Sequence, residues 1–282
     1  MIKREDFEKA FVMLGLSDTD VLIHSSIRSF GDEIDGGVAI IADVLLGLRC
    51  TILVPAFSDA YEEKPVPQYM PERNGAGDYS YFLDRDDYDA NMVYTPESKV
   101  ITTEEMGIFP AMILNRPGCI RGNHPLNSFA ALGRRAVDLI GNQSPEYVYA
   151  PLGQLYNNNG YVLLMGTDLT SATIIHYAEQ QSGRRPFVRW ANDRNKHVIP
   201  VSVGGCSDGF NNFNNPLSPI GKTVVVGKSV WKCYNAREMV DICVQSIFKN
   251  PEITRCENPY CDRCKDAILG GPLIDFEFSN NS

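Results

Sequence analysis

The sequence predicts an α/β protein with a central, largely parallel sheet and a smaller β-containing subdomain at the C-terminus. Three observations carry this. Apolar runs at 20–24, 51–55 and 161–165 (DVLIH, TILVP, YVLLM) have the length of buried strands. Between them, apolar residues recur every three or four positions, the period of a helix with one buried face. Past Arg185 the pattern shifts to shorter β-like runs, which sets off residues 185–282. All 282 residues are read as one domain, with an acidic insertion at about 59–100.

The elements follow in order. Phe7, Ala10, Phe11 and Leu14 mark a first helix that Gly15 can close, and the DVLIH strand comes next. Val38, Ile41, Ala42, Leu45 and Leu46 form a second helix before the TILVP strand. After the insertion a helix spans Glu104 to Leu114, followed by a Gly/Asn/Pro loop. Ser128 to Leu132 reads as a strand and Gly133 to Ile140 as a helix. The YVLLM strand runs through Gly166 into a helix capped within Thr170-Ser171, with Ile174, Ile175 and Ala178 on its apolar side. Residues 197–203 and 223–226 are β-like, and Ala236, Met239, Val240, Ile242, Cys243 and Ile247 give a closing helix. No internal repeat or low-complexity tract interrupts this order.

Composition narrows the function. Apolar content of 44% and charged content of 22% are those of a soluble globular protein. No apolar run approaches the roughly 18 residues that a membrane span needs. The N-terminus lacks a signal-peptide core, so a cytoplasmic location is expected. Eight cysteines then read as thiols or metal ligands. A net charge of −9 argues against nucleic acid and suits a cationic or neutral small substrate. Residues 59–90 set nine acidic residues against Lys64, Arg73 and Arg85, interleaved with tyrosines. Such a loop could hold a polyamine or a sugar by charge and stacking. The simpler reading, favoured here, is a solvated surface insertion.

Several positions could carry chemistry. The first strand ends in His24-Ser25-Ser26 with Arg28 close behind, where hydroxyls, amides and a cation could cradle an anion. His124 lies in Arg121-Gly122-Asn123-His124-Pro125-Leu126-Asn127-Ser128, one of four histidines and held beside a proline. A histidine fixed in a loop is a candidate general base; equally, it could only hydrogen-bond its own turn. His176 and Glu179 share a helix face three residues apart. Glu179 is the favoured carboxylate to orient the imidazole of His124, with Asp168 in reserve, and His176 is read as a core histidine. Cys256-x4-Cys261-x2-Cys264 has the spacing of most of a structural zinc site. Cys233 is taken as its fourth ligand, with Cys243 and Cys206 as alternatives; reduced loop thiols are the other reading.

The blocks DVLIHSSIRSFG, LVPAFS, EEMG, HPLNSFAALG, PLGQLY, YVLLMG and HYAE, in this order from Asp20 to Glu179, resemble the aminoglycoside 3-N-acetyltransferase family. The resemblance implies an α/β/α fold and acetyl transfer from acetyl-coenzyme A to an amine on a sugar ring. It implies that the HSS block binds coenzyme A, that Met106 and Gly107 lie near it, and that the histidine of HPxxS, here His124, is the base. Ser128, Ser25 and backbone amides are the candidate oxyanion donors. Two departures fall near the acceptor: no acid precedes Pro151-Leu152-Gly153, and the acid after the YVLLM strand is displaced to Asp168. The acceptor is thus either an aminoglycoside or a nucleotide-linked amino sugar, for which Arg184, Arg185, Arg189 and Arg194 are available. Direct transfer in a ternary complex is expected, and a homodimer is compatible with the reading. The competing hypothesis is a coenzyme A-binding or zinc-stabilised module without catalysis.

Overall fold

The computed structural model describes residues 1–89 and 91–278. Its strands are β1 (Asp20–Ser25), β2 (Thr51–Pro55), β3 (Ile120–Arg121), β4 (Phe129–Leu132), β5 (Tyr161–Met165), β6 (Phe187–Asn192), β7 (Val198–Val203), β8 (Lys222–Val226) and β9 (Ser229–Asn235). Its helices are α1 (Arg4–Leu14), α2 (Ala39–Gly47), α3 (Ser80–Asp84), α4 (Thr103–Met106), α5 (Ile108–Leu114), α6 (Ala136–Ile140), α7 (Ala150–Asn157), α8 (Ile174–Gln181), α9 (Asn214–Leu217), α10 (Ala236–Lys249) and α11 (Asp262–Ile268).

Seven strands make one mixed sheet in the order β3-β4-β2-β1-β5-β9-β8. β1 lies at its centre, parallel to β2 on one side and β5 on the other. Outside this trio every pairing is antiparallel. The expected parallel order therefore holds where helices cross between strands. It ends at the flanks, where β4 and β9 run antiparallel to their inner neighbours and the two-residue link Gly227-Lys228 joins β8 to β9 as a hairpin.

Alternation along the strands divides the core into two layers. Val21, Ile23, Ile52, Val54, Leu163 and Met165 face α1, α2 and α5. Leu22, Leu53, Val162 and Leu164 face α6, α7, α8 and α10 on the other side. Trp231 on β9 closes the first layer, its ring 5.5 Å from Phe11 and 5.8 Å from Phe30.

Two departures from the expected elements shape the site. The helix expected over 104–114 is split, because Gly107 (φ +82°) takes a conformation closed to most side chains and turns the chain between α4 and α5. The insertion is pinned to the body rather than merely solvated. Asn74 exchanges two hydrogen bonds with the backbone of Val188 on β6, at 2.9 and 2.8 Å, and Glu63 N–H donates to Trp190 O. Tyr61, Phe82 and Tyr94 are buried beneath it. In the C-terminal segment, β6 and β7 form a separate hairpin, whereas β8, β9 and α10 rejoin the main body. Among the described residues, no helix is long and apolar enough to cross a membrane.

Candidate active site

The parallel trio leaves its carboxyl ends side by side, and a cleft of about 580 Å³ opens beyond them. β1 contributes His24 and Ser25, the turn after β5 contributes Thr167, and α4 contributes Glu105 and Met106. The insertion closes one side with Asp59, Glu62, Phe82 and Arg85; Arg189, Gly204, Gly205 and Arg263 supply another wall. Among the described residues, four buried polar atoms on the lining have no partner: His24 Nε2, Ser25 Oγ, Thr167 Oγ1 and Tyr149 Oη. Buried groups of this kind are normally paired, so a cluster of them around one cavity marks where a ligand completes the bonding. Burial holds the His24 imidazole down to about 4, so it is neutral at pH 7.

α8 presents His176 to this cleft. Its Nδ1 lies 2.8 Å from Glu179 Oε2. An ionised carboxylate can only accept, so Nδ1 carries a proton, and in the neutral ring the lone pair is on Nε2. The other Glu179 oxygen accepts from Arg184 Nη1 at 2.8 Å, and Arg184 is anchored by Thr254 Oγ1 and Pro251 O, each at 2.7 Å. Parallel stacking on Tyr149 at 6.1 Å and an edge contact with Phe210 at 4.7 Å fix the ring. Gly204 lets the chain pass close by: a Cβ there would sit 2.9 Å from Tyr149 Oη and 3.2 Å from His176 Nε2. Burial and the Glu179 charge push the Tyr149 phenol well above its usual range, so it stays a donor.

His124 is placed differently from its expected role as base. It is fully buried, and both ring nitrogens are used: Nε2–H donates to Ser202 O at 2.7 Å, while Nδ1 accepts from Leu126 N and Asn127 N at 3.2 and 2.8 Å. Burial lowers its pKa to about 4. No lone pair is left for a substrate, and the residue does not line the cleft. The simple alternative, a histidine that ties its own turn, describes it. Ser128 is equally committed, donating to Ala56 O and accepting from Arg121 Nε, both at 2.9 Å. The loop is a clasp that joins β2, β4 and β7.

The remaining candidates separate. Glu179 pairs with His176 rather than His124. Asp168 caps the following turn through Thr170 N and bonds Asn211 Nδ2, with no bond to either histidine. His24, Ser25 and Met106 line the cleft; Ser26, Arg28 and Gly107 do not. Of the arginines after Glu179, Arg184 serves Glu179 and Arg189 lines the cleft, while Arg185 and Arg194 lie elsewhere. Tyr149 carries no local signal in the sequence. Thr167 could have been found from its place at the end of a central strand.

The charges in the cleft are uneven. Arg85 is neutralised by Glu62 at 2.6 Å and Asp87 at 2.9 Å. The Glu105 carboxyl is pushed up by burial and by the Asp59 charge. Arg189 is lowered to about 10, first by burial and then by the charge of Arg263.

A second cluster sits behind the Gly204–Gly205 wall. The sulfurs of Cys206, Cys256, Cys261 and Cys264 lie within 4.8 Å of one another. Four thiolates about 2.3 Å from a tetrahedral zinc would stand nearly 4 Å apart, so the set fits that ion. Cys233 is not part of it. It is buried in the sheet on β9, and burial raises its thiol to about 12. Cys206, named from the sequence only as an alternative to Cys233, stands with the other three although it lies 50 residues before Cys256.

Comparison with known proteins gives the family and the fold. The profile of a family described as aminoglycoside 3-N-acetyltransferase matches residues 22–247. A relative from Bacillus subtilis (strain 168), the SPbeta prophage-derived aminoglycoside N(3')-acetyltransferase-like protein YokD, is 29% identical over 80% of this chain and 72% of its own length. Among solved structures, a histidine-to-alanine mutant of aminoglycoside acetyltransferase AAC(3)-IVa in complex with a gentamicin superposes with a TM-score of 0.75 at 18% identity, over 95% of this chain and 97% of that one. AAC-IIIb in a binary complex with CoASH superposes with a TM-score of 0.66 at 19% identity, over 88% and 96%.

Proposed function

The chain belongs to the aminoglycoside 3-N-acetyltransferase family, and on that premise we propose that it moves acetyl from acetyl-coenzyme A directly to an amine of an amino sugar, with His176 as the general base. The observation that carries this reading is the chain Arg184–Glu179–His176, which ends with a free Nε2 at a cleft lined by unpartnered polar atoms.

The steps follow from the geometry. His176 Nε2 takes a proton from the acceptor ammonium, and Glu179 stabilises the imidazolium that forms. The neutral amine attacks the thioester carbonyl; the N–C bond forms, and the C–S bond breaks as the oxyanion collapses. The imidazolium returns its proton to sulfur, giving the free thiol, and the extra proton on the new amide nitrogen leaves to water. The hydroxyls of Ser25, Thr167 and Tyr149 are available to the developing oxyanion in place of Ser128.

The test is thiol release from acetyl-coenzyme A with panels of aminoglycosides and nucleotide-linked amino sugars. Amine-dependent release that is lost in His176→Ala with coenzyme A affinity kept supports the reading. Coenzyme A binding without release for any amine favours a binding module instead.

The cysteine set is proposed to hold a structural zinc through Cys206, Cys256, Cys261 and Cys264. Metal analysis should find zinc in the wild-type protein and in Cys233→Ser, and a much reduced content in Cys206→Ser. Equal retention by both variants would refute the assignment.

A further inference from the structure

We infer that the cleft contains a subsite for a phosphate group of the acceptor, built on Arg189 and Arg263, so that the amino sugar acetylated here is a phosphorylated one. The inference rests on the transferase reading above and names its substrate class.

Three arginines with little exposure show why Arg189 stands apart. Arg121 gives its guanidinium to Ser128 Oγ, Ser98 O and Ala56 O at 2.9, 2.7 and 2.6 Å. Arg184 is held by Glu179, Thr254 and Pro251. Arg189, only 6% exposed, has one bond, to the carbonyl of its neighbour Val188 at 2.7 Å, and lies 4.7 Å over the Phe82 ring. Among the described residues no carboxylate lies within 4.0 Å of it. A cation removed from water is costly unless paired, so this one is built for a partner. Its position on the cleft wall leaves that partner to come from the cleft.

The surroundings strengthen the case. Glu62, the acid whose charge reaches Arg189, is already bonded to Arg85. Arg263 stands on the same wall, is exposed, and has no ion pair among the described residues. Two like charges face one volume with no counter-ion between them, and an anion relieves both their repulsion and the burial of Arg189. Bidentate guanidinium contacts suit a phosphate. Elsewhere in the cleft, Asp59 and Glu105 face no cation of their own and suit the acceptor ammonium. The cleft is bipolar, and a purely cationic sugar would satisfy only one end of it. A sugar monophosphate and a nucleotide-linked sugar share the chemistry required.

The experiment is equilibrium dialysis of radiolabelled pyrophosphate against the full chain with coenzyme A at saturation, which occupies any site for the cofactor's own phosphates. Saturable binding is expected, weakened about tenfold or more by Arg189→Gln and severalfold by Arg263→Gln. Arg194→Gln, on an exposed position away from the cleft, should leave it unchanged. Pyrophosphate binding seen without coenzyme A but lost when coenzyme A is at saturation would overturn the subsite, as would equal affinity in wild type and Arg263→Gln. If Arg189→Gln does not fold by circular dichroism, the exposed Arg263 variant decides. Competition by glucosamine 6-phosphate or by uridine diphosphate separates the two sources, with glucosamine and kanamycin as unphosphorylated controls. Amine-dependent thiol release without pyrophosphate binding sinks the subsite and spares the transferase; binding without release for any amine does the reverse.

Discussion

At the scale of single residues, four histidines divide by what their nitrogens meet. His124 and His176 both sit in rigid surroundings, but His124 spends its two nitrogens on backbone and His176 spends one. Glu179→Gln should therefore lower kcat by about a hundredfold while leaving coenzyme A affinity intact, since an amide cannot stabilise the imidazolium. His124→Gln should instead cost about 1–3 kcal/mol of stability, read as a lower Tm, with turnover lost only as the protein unfolds. The two buried neutral histidines also set a pH response. His24 and His124 titrate near 4 when folded, against an ordinary value of 6.5. Below 6.5 the unfolded chain binds protons that the folded chain refuses, so stability should fall as pH drops from 6.5 toward 4. Each histidine contributes up to about 3 kcal/mol to that fall. Denaturant melts across this window should show the slope, flattened in His124→Gln; an unchanged slope would count against the assignment.

At the scale of elements, the cleft depends on segments held against strands by a few contacts. The 204–207 segment after β7 passes so close to His176 that a Cβ at residue 204 would meet Tyr149 Oη at 2.9 Å and His176 Nε2 at 3.2 Å. The backbone there does not need glycine, so Gly204→Ala should fold normally. Its methyl group would crowd Nε2 and Tyr149, and kcat should fall by about tenfold to a hundredfold. The insertion depends on Asn74, whose amide imitates a strand partner for Val188. Asn74→Ala should cost about 1–3 kcal/mol and raise proteolytic cleavage within 59–100 before the rest of the chain is cut. Unaltered protease resistance would mean that buried Phe82 and Tyr61 hold the insertion without it.

At the scale of the molecule, the cysteine set joins two distant parts of the chain behind the acceptor wall. Cys206 follows Gly204–Gly205, and Arg263 lies between Cys261 and Cys264. If the set holds zinc and the wall serves the acceptor as proposed, removing the metal should lower Tm by several degrees and weaken acceptor binding more than coenzyme A binding. Equal loss of both would point to general unfolding.

Strand-length apolar runs and helical spacing were enough to read the central trio and most of the flanking helices, because those patterns are local; α7 was not among them. The split at Gly107 had only a glycine inside the expected helix to signal it, and the strand β6, buried along its whole length, has no alternation to mark it. The site divides in the same way. Residues at the ends of β1 and β5 could be named in advance, because a parallel sheet opens its ligand cleft there. Which histidine is free, which acid it meets and which cysteine completes the metal set depend on partners 3 to 78 residues away in sequence. An imidazole in a loop and one on a helix look alike until the fold shows which nitrogen has been left unpaired.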